Sequence, residues 1–443
     1  MASRYFPHTP DDVRHMLDKC GASTLADLYN DVPDELLLKR PYDLPESMSE
    51  PEVKAWFDAA FSRCTRLTCF AGAGSYDHYT PAAINAVLSR SEFLTAYTPY
   101  QPEISQGTLQ YIFEYQSMMA SLTGLDVCNA SMYDGATATA EAMMMAVNST
   151  RKKRRILVSA TINPAVVQVI ATYARYQNIA VETIPEHEGV TDRAVLRYML
   201  EAGDVAGVIA QTPNYYGIIE DFEGWADDIH AAKALFIINA PALPLAVLKT
   251  PGEWGADIAV GDAQSLGMPL SYGGPYLGYM TARQALIRKL PGRIVGATVD
   301  DRGQRVFVLT LQAREQHIRR EKATSNICSN QGIMTLHAAM YMALMGNKGL
   351  REVNSLSASA AHELASRLEA TGKMRLSHPD KPFLNEFKVT LADAYDTADV
   401  LESLRESGIL GGVAINERDM IIACTETRTK ADIESYVSII NNL

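Results

Sequence analysis

From Arg155 onward the chain alternates short apolar runs with segments of helical apolar period. The apolar runs predict strands at Arg155–Ala160, Ala180–Ile184, Ala206–Gln211, Ala234–Asn239, Asp257–Gly261 and Tyr276–Thr281. The segments between them predict helices at Pro164–Tyr176, Asp192–Glu201 and Trp225–Lys233. Nearly continuous apolar strands separated by helices are typical of a mostly parallel sheet that is covered on both faces.

The pattern divides the chain into three predicted domains. Residues 1–70 form an N-terminal arm of short helices broken by prolines, which packs on the body or on a partner. Residues 71–335 form a large α/β domain, and residues 336–443 form a connecting helix and a small C-terminal α+β domain. This order of elements is typical of the fold type I architecture of pyridoxal phosphate (PLP)-dependent transferases, although other α/β enzymes share it.

Composition excludes several classes of protein. The chain has 443 residues with a net charge of −12, and this argues against a nucleic-acid binder, which needs a basic face. Its apolar runs are too short to cross a membrane, and its polar N-terminus lacks a secretory signal, so we expect a cytoplasmic protein. The six cysteines show no spacing typical of a metal site, and we expect no metal and free thiols.

A fold type I enzyme holds PLP with three parts: a helix N-terminus for the phosphate, an aspartate for the pyridine nitrogen and a lysine for the Schiff base. The candidate phosphate loop contains Ser131, Asp134, Gly135 and Thr137, and it opens an Ala- and Met-rich helix. Its alternative interpretation is an ordinary helix start capped by Asp134 or Thr137.

The other two parts are replaced. The strand that should end in an aspartate ends in Asn239, a neutral amide that cannot hold a pyridinium proton by charge. Gln264 or Ser265 stands where the Schiff-base lysine would be, and no lysine occurs between Lys249 and Lys289. The sequence therefore predicts a degenerate site without a catalytic lysine and without covalently bound PLP.

Two further segments are rich in polar side chains. The first is Tyr97–Gly107, which is stiffened by two prolines and is suited to present hydrogen-bonding groups at a cleft or interface. Its candidate residues are Tyr97, Tyr100, Gln101, Glu103, Ser105 and Gln106. The alternative is a surface turn before a helix at Thr108–Leu122.

The second polar segment is Gln316–Cys328, where basic side chains precede a Thr-Ser-Asn sequence. Such side chains suit the recognition of a carboxylate or phosphate. The candidate residues are His317, Arg319, Arg320, Lys322, Thr324, Ser325 and Asn326. The alternative is a solvated helix end with an N-cap at Thr324 or Ser325.

These motifs together resemble the glycine cleavage system P-protein family. The resemblance rests on Arg4–Thr9, Phe70–Tyr79, Tyr97–Gly107, Asn129–Gly135, His317–Cys328 and Thr425-Glu426, and thus spans nearly the whole chain. In that family the P-protein is one long chain of two homologous halves or two separate subunits, and the length and missing lysine resemble the separate subunit 1. Asn163-Pro164 departs from the His-Pro expected there, which puts a ring-stacking role at that position in doubt.

The resemblance implies a function shared with a partner. A homologous subunit 2 would hold PLP on its own lysine and decarboxylate glycine, and the aminomethyl group would pass to the lipoyl arm of the H-protein. An α2β2 heterotetramer is the implied assembly, and Tyr97–Gly107 is expected to reach the partner's active-site cleft. Two alternatives remain open at this point: a self-sufficient PLP-dependent lyase or transferase, and a purely structural assembly subunit.

Overall fold

The computed structural model describes residues 7–150 and 152–443, in two compact units that divide between Thr65 and Arg66. In the first unit, α1 spans Pro10–Cys20 and α2 spans Glu50–Phe61. Short 3-10 turns lie at Leu25–Tyr29 and Asp34–Leu36. Among the described residues of this unit Leu17 alone is buried, so these helices enclose no core of their own. Arg4, Tyr5 and Phe6 of the first sequence motif lie outside the described residues.

The second unit contains the remaining elements. Its strands are β1 (Thr68–Cys69), β2 (Val127–Cys128), β3 (Arg155–Ser159), β4 (Ala180–Ile184), β5 (Glu186–His187), β6 (Val190–Thr191), β7 (Val205–Gln211), β8 (Leu235–Asn239), β9 (Ile258–Asp262), β10 (Gly278–Ala282), β11 (Ile294–Val299), β12 (Arg305–Thr310), β13 (Met374–Leu376), β14 (Glu386–Leu391), β15 (Ile409–Leu410), β16 (Val413–Ala414) and β17 (Asp419–Ala423). Its helices are α3 (Ala82–Leu88), α4 (Ser91–Leu94), α5 (Gln106–Thr123), α6 (Gly135–Thr150), α7 (Pro164–Gln177), α8 (Arg193–Leu200), α9 (Trp225–Ala231), α10 (Gln316–Arg319), α11 (Gly332–Ala370), α12 (Thr397–Glu406) and α13 (Lys430–Asn441).

A seven-stranded sheet organises the described part of this unit. Its strand order is β2-β10-β9-β8-β7-β3-β4, and only β10 runs antiparallel to its neighbours. The prediction of a mostly parallel sheet is therefore confirmed. The carboxyl ends of β3, β7, β8 and β9 meet at one edge, and this is the edge where open α/β sheets bind ligands.

Alternate side chains of the central strands enter two cores. In β8, Phe236 and Ile238 join the core on one face, and Ile237 joins the core on the other. Helices α5 and α11 cover the first face, and α6 and α7 cover the second. Burial on both faces explains why these strands read as continuous apolar runs rather than as alternating ones.

The C-terminal part contains a four-stranded antiparallel sheet of order β13-β14-β17-β16, packed on α11, α12 and α13. Helix α11 continues through the two predicted helical segments Leu336–Met345 and Ser355–Thr371, with a non-helical break at Gly346. The antiparallel hairpin β11–β12 was not predicted. Its strands are only partly buried and Gly296 interrupts them, so they lack a clear apolar period.

The described helices include none with the length and apolarity needed to cross a bilayer. The same residues contain no cluster of three or more side chains suited to hold a metal ion.

Candidate functional site

A cavity of about 600 Å³ lies at the carboxyl ends of the parallel strands. Each strand contributes a polar residue at or just beyond its end. Asn163 follows β3, Gln211 ends β7, Asn239 ends β8 and Asp262 ends β9, and all four line the cavity. This is the place where a fold type I enzyme would hold its cofactor.

Gln264 occupies the turn after β9 as a fully buried brace. Its Oε1 accepts a hydrogen bond from the backbone nitrogen of Tyr76 at 2.9 Å. Its Nε2 donates to the carbonyl oxygens of Tyr76 at 2.8 Å and Met268 at 2.7 Å. The side chain therefore fixes the Ala73–Tyr76 loop that forms one cavity wall, and it supplies no amine to the cavity.

Ser265 and Asn239 are also committed to structural contacts. The hydroxyl of Ser265 accepts a hydrogen bond from the backbone nitrogen of Leu243 at 3.1 Å. Asn239 donates from Nδ2 to the hydroxyl of Thr139 in α6 at 2.7 Å. An amide that donates in this way ties the sheet to α6 and adds no negative charge.

The candidate phosphate loop forms the start of α6. The carboxylate of Asp134 accepts a hydrogen bond from the backbone nitrogen of Thr137 at 2.8 Å, which is the pattern of an N-cap. Asp134 and Gly135 line the cavity. Ser131 instead accepts hydrogen bonds from Asn330 and Gln331 and is fully buried, so it belongs to the support of the loop. The loop is therefore a capped helix start that borders the cavity.

The sequence interpretation missed the role of Asp262. Its Oδ2 accepts a hydrogen bond from the backbone nitrogen of Gly135 at 3.1 Å, and its Oδ1 accepts one from the backbone nitrogen of Gln264 at 2.8 Å. Burial raises the pKa of this carboxyl to about 6. The sequence contained a signal for this role, since Asp262 directly follows the predicted strand Asp257–Gly261 and so lies at the edge where a ligand cavity is expected.

The same cavity wall is held from the small sheet. Glu386, at the start of β14, accepts hydrogen bonds from the backbone nitrogen of Ala73 at 2.5 Å and the hydroxyl of Tyr76 at 2.9 Å. Burial raises the pKa of Glu386 to about 7. Gly72 is required beside it, because a Cβ there would lie 2.1 Å from Oε1 of Glu386.

The structure brings the Tyr97–Gly107 and Gln316–Cys328 segments together through Arg293. The buried guanidinium donates from Nη2 to the hydroxyl of Tyr100 at 3.0 Å and from Nη1 to the carbonyl oxygen of Cys328 at 2.9 Å. The ring of Tyr100 also lies 6.0 Å from that of His317, edge to face. We call Tyr97–Gly107 and Gln316–Ser329 together the double loop.

Within the double loop, Tyr97, Tyr100, Gln101 and Glu103 are exposed, while Ser105 directly precedes α5 and is half-buried. Gln106 does not present its amide outward as expected. Its Oε1 accepts from the backbone nitrogen of Phe307, and its Nε2 donates to the carbonyl oxygens of Phe307 and Pro102. Gln106 is therefore a brace to β12.

The second half of the double loop does not form the helix N-cap that was the alternative interpretation of this segment. Helix α11 begins at Gly332, so Thr324 and Ser325 cap no helix, and the hydroxyl of Ser325 instead accepts from the backbone nitrogen of Ile327 at 3.0 Å. The side chains of His317, Arg319, Arg320, Lys322, Thr324 and Asn326 are exposed. Burial raises the pKa of Glu141 in α6 to about 7, and the nearby hydroxyl of Ser325 opposes this shift.

Cys328 connects the double loop to the cavity. Its backbone nitrogen donates to the hydroxyl of Tyr133 at 3.1 Å, and Tyr133 lines the cavity. The hydroxyl of Tyr97 lies 3.1 Å from that of Ser329, the residue after Cys328. This contact also connects the two halves of the double loop. The cavity and the double loop thus belong to one continuous region.

The residues of this chain do not fit covalently bound PLP. The described residues that line the cavity include no lysine. Asn239 would offer a pyridinium nitrogen no negative charge, and Asp262 would offer a phosphate no positive charge.

The strand order and the cavity at the edge of the sheet define the structural class of the protein, which is fold type I of PLP-dependent enzymes. The sphingosine-1-phosphate lyase of Burkholderia pseudomallei superposes with a TM-score of 0.68 at 13% identity, covering 91% of this chain and 92% of that one. A NifS-like protein from Rickettsia africae superposes with a TM-score of 0.64 at 12% identity, covering 85% and 100%. These two likenesses confirm the predicted fold class.

The chain belongs to the glycine cleavage system P-protein family, whose sequence profile matches residues 3–440. A crystal structure described as glycine decarboxylase (P-protein) of the glycine cleavage system, in inhibitor-bound form, superposes with a TM-score of 0.88 at 41% identity, covering 99% of this chain and 100% of that one. A protein named probable glycine dehydrogenase (decarboxylating) subunit 1, from Carboxydothermus hydrogenoformans, is 47% identical over 99% of both chains. A protein of the same name from a Geobacillus species is 45% identical over 99% of this chain and 98% of its own. The predicted family, and the assignment as an enzyme subunit of the glycine cleavage system, are confirmed.

Proposed function

We propose that this chain is the subunit of a heteromeric glycine decarboxylase that binds no PLP covalently. A homologous subunit 2 would hold the cofactor, in a cytoplasmic α2β2 assembly. There PLP would supply the electron sink for the decarboxylation of glycine, and the aminomethyl group would pass to the lipoyl arm of the H-protein. The observation that carries this proposal is the buried brace Gln264, which stands where a lysine would be needed in a chain that matches its subunit 1 relatives from end to end.

The double loop supports a part in the partner's chemistry. Tyr97, Tyr100 and Glu103 are exposed residues, and the two prolines beside them lower the entropic cost of holding their side chains in place. Arg293 donates to the hydroxyl of Tyr100, and this polarises the hydroxyl and makes it a stronger donor to a substrate group.

The exposed basic side chains of the double loop suit an anionic group at the same place. His317, Arg319, Arg320 and Lys322 lie on the segment that follows β12. Guanidinium and ammonium groups recognise carboxylates through charge-assisted hydrogen bonds. We infer that these side chains attract glycine's carboxylate or an acidic face of the H-protein toward the cleft.

Co-purification with subunit 2, followed by a glycine–bicarbonate exchange assay, tests the proposal. We expect the chain alone to show no exchange and no borohydride-reducible pyridoxyl-lysine, and the complex to show both. A pyridoxyl-lysine on this chain would support a self-sufficient PLP enzyme instead. A stable chain with no affinity for subunit 2 would contradict the proposed assembly.

Tyr100→Phe and Glu103→Gln separate a part in the chemistry from a purely structural part. We expect exchange per assembled pair to fall by roughly 10- to 1000-fold, the range for losing a positioned donor or acid–base group. Tyr176→Phe is the control, since Tyr176 is an exposed tyrosine on α7. Weaker assembly with normal turnover per assembled pair would assign the loop a structural role only.

A further inference from the structure

At the N-terminus of α6, carboxylates of the protein itself take the place of a bound anion. Free backbone N–H groups at a helix start, together with the helix dipole, favour a bound anion. Here the N–H of Gly135 donates to Oδ2 of Asp262 at 3.1 Å, and the N–H of Thr137 donates to the carboxylate of Asp134 at 2.8 Å. Two carboxylates of the chain thus take donors that a phosphate would use.

The carboxylate of Asp262 is held in place by backbone groups from the turn after β9 and from the residue before β10. Its Oδ1 accepts from the backbone nitrogens of Gln264 at 2.8 Å and Leu277 at 3.4 Å. Gly135 must lack a side chain, since a Cβ would lie 2.8 Å from the backbone nitrogen of Asp262. The end of β9 and the start of α6 are therefore fitted to each other around this carboxylate.

The cavity beside this carboxylate offers a phosphate no compensating charge. Its described lining residues include Asp134 and Asp262 but no lysine, arginine or histidine. A phosphate dianion placed there would face two like charges at short range in a partly desolvated site, where repulsion is strong. The cavity nevertheless has the volume and the polar lining of a ligand site.

We propose that Asp262 replaces the cofactor phosphate at the α6 N-terminus with its own carboxylate, so that the cavity of this chain rejects phosphate and phosphate esters. The inference rests on the proposed function in one respect, that the cofactor is held by the partner. It goes further by identifying the group that keeps cofactor out of the second, structurally similar cavity. Loss of the lysine alone would still permit PLP to bind there non-covalently.

The test compares the wild-type chain with Asp262→Asn and Asp262→Ser. The asparagine variant removes the charge and retains an acceptor for Gly135, and the serine variant also empties the space. Asp227→Asn, at an exposed position on α9, is the control for the loss of one negative charge. Circular dichroism and thermal unfolding establish that each variant is folded.

Inorganic phosphate and the pair pyridoxine 5′-phosphate and pyridoxine are the probes, because they lack the aldehyde that reacts with surface lysines. Binding is measured by calorimetry on the full chain and repeated on its complex with subunit 2. We expect the wild type and Asp227→Asn to show no preference for the phosphorylated vitamer. Asp262→Ser should shift the ratio of the two affinities by at least tenfold toward that vitamer, with Asp262→Asn intermediate.

Phosphate binding by the wild type would overturn the inference. So would an unchanged ratio, or no binding at all, in a folded Asp262→Ser chain; if that variant does not fold, Asp262→Asn decides. These outcomes are separate from the proposed function, since assembly with subunit 2 and glycine exchange are measured on the wild-type complex and can fail or succeed independently.

Discussion

The hydroxyl of Tyr100 accepts a 3.0 Å hydrogen bond from Nη2 of Arg293, although 193 residues separate the two in sequence. The same guanidinium holds the carbonyl oxygen of Cys328 and lies 5.3 Å from the centre of the Tyr100 ring. One buried cation therefore organises both halves of the double loop.

Arg293→Lys should loosen the double loop. A lysine ammonium lacks the planar fork that reaches two acceptors at fixed angles, so the hydroxyl of Tyr100 or the carbonyl of Cys328 would lose its donor. We expect a loss of about 1–3 kcal/mol in the free energy of unfolding, and lower exchange per assembled pair. Arg302→Lys, at the exposed tip of the β11–β12 hairpin, is the control. Equal unfolding curves for Arg293→Lys and the wild type would show that the link is not significant.

Gln264→Leu should destabilise the chain without changing its chemistry. The substitution leaves the buried backbone nitrogen of Tyr76 without an acceptor and two carbonyls without a donor. The expected cost is about 2–4 kcal/mol, measured by denaturant unfolding. Gln284→Leu, at an exposed position, should cost little. Unchanged stability combined with lost turnover would instead identify Gln264 as a group that acts in the reaction.

The central sheet could be predicted because its strands are buried on both faces. Runs such as Val205–Gln211 carry the signal in every residue, and their strand-end residues follow directly from the strand assignment. The absence of a lysine near Gln264 could also be predicted, because that position follows directly from the assignment of the strand before it. Boundaries were mostly within two residues of those observed, and Asp192 proved to be the N-cap of α8 rather than its first residue.

The connections across the chain could not be predicted in this way. In the sequence, Arg293 is a single basic residue beside an irregular segment. Only the fold brings it into contact with Tyr100 and Cys328. Thr324 and Ser325 look like a helix cap because such residues favour caps, but the helix starts later, at Gly332. Local propensity does not show which turn a polar sequence will form when tertiary contacts decide it.

Three buried carboxyls should each lower the stability of the chain as pH rises from about 5 to 8, whereas His337 and His378, whose pKa values burial lowers, act with the opposite sign. Burial raises the folded-state pKa of Glu386 to about 7, above its ordinary value of 4.5. The folded state therefore holds a proton that the unfolded state has released, and its stability decreases between these two pKa values. Glu141, also near 7, and Asp262, near 6, contribute with the same sign.

Glu386→Gln isolates one part of this dependence. The amide can still accept from Ala73, and it carries no charge at any pH. The variant should gain up to about 3 kcal/mol relative to the wild type between pH 5 and pH 8. Thermal unfolding across this range measures the difference, with the exposed Glu417→Gln as control. Parallel pH profiles for Glu386→Gln and the wild type would contradict the assignment.

The aromatic face of α2 is the last feature that the proposed assembly must explain. Trp56, Phe57 and Phe61 are 58%, 48% and 66% exposed. Their rings contact one another in sequence, Trp56 edge-on to Phe57 at 5.0 Å and Phe57 stacked with Phe61 at 6.0 Å. Exposed contiguous apolar patches mark interaction sites, and tryptophan is prominent among the residues that dominate binding energy. We expect subunit 2 to cover this face.

Trp56→Gln should then weaken association with subunit 2 by roughly 10- to 100-fold, because a buried tryptophan at an interface contributes on the order of 2 kcal/mol or more. Ala55→Gln, at an exposed position at least 100° around the same helix from each of the three rings, should leave association unchanged. Sedimentation or calorimetric titration of the two full chains gives the affinities, and exchange per assembled pair should be normal in both variants. If α2 instead packs only on its own chain, Trp56→Gln will lower the melting temperature of the isolated chain and leave the affinity for subunit 2 intact. That pair of readings would remove α2 from the interface while leaving the double loop and its partner-site role to be judged by Tyr100→Phe.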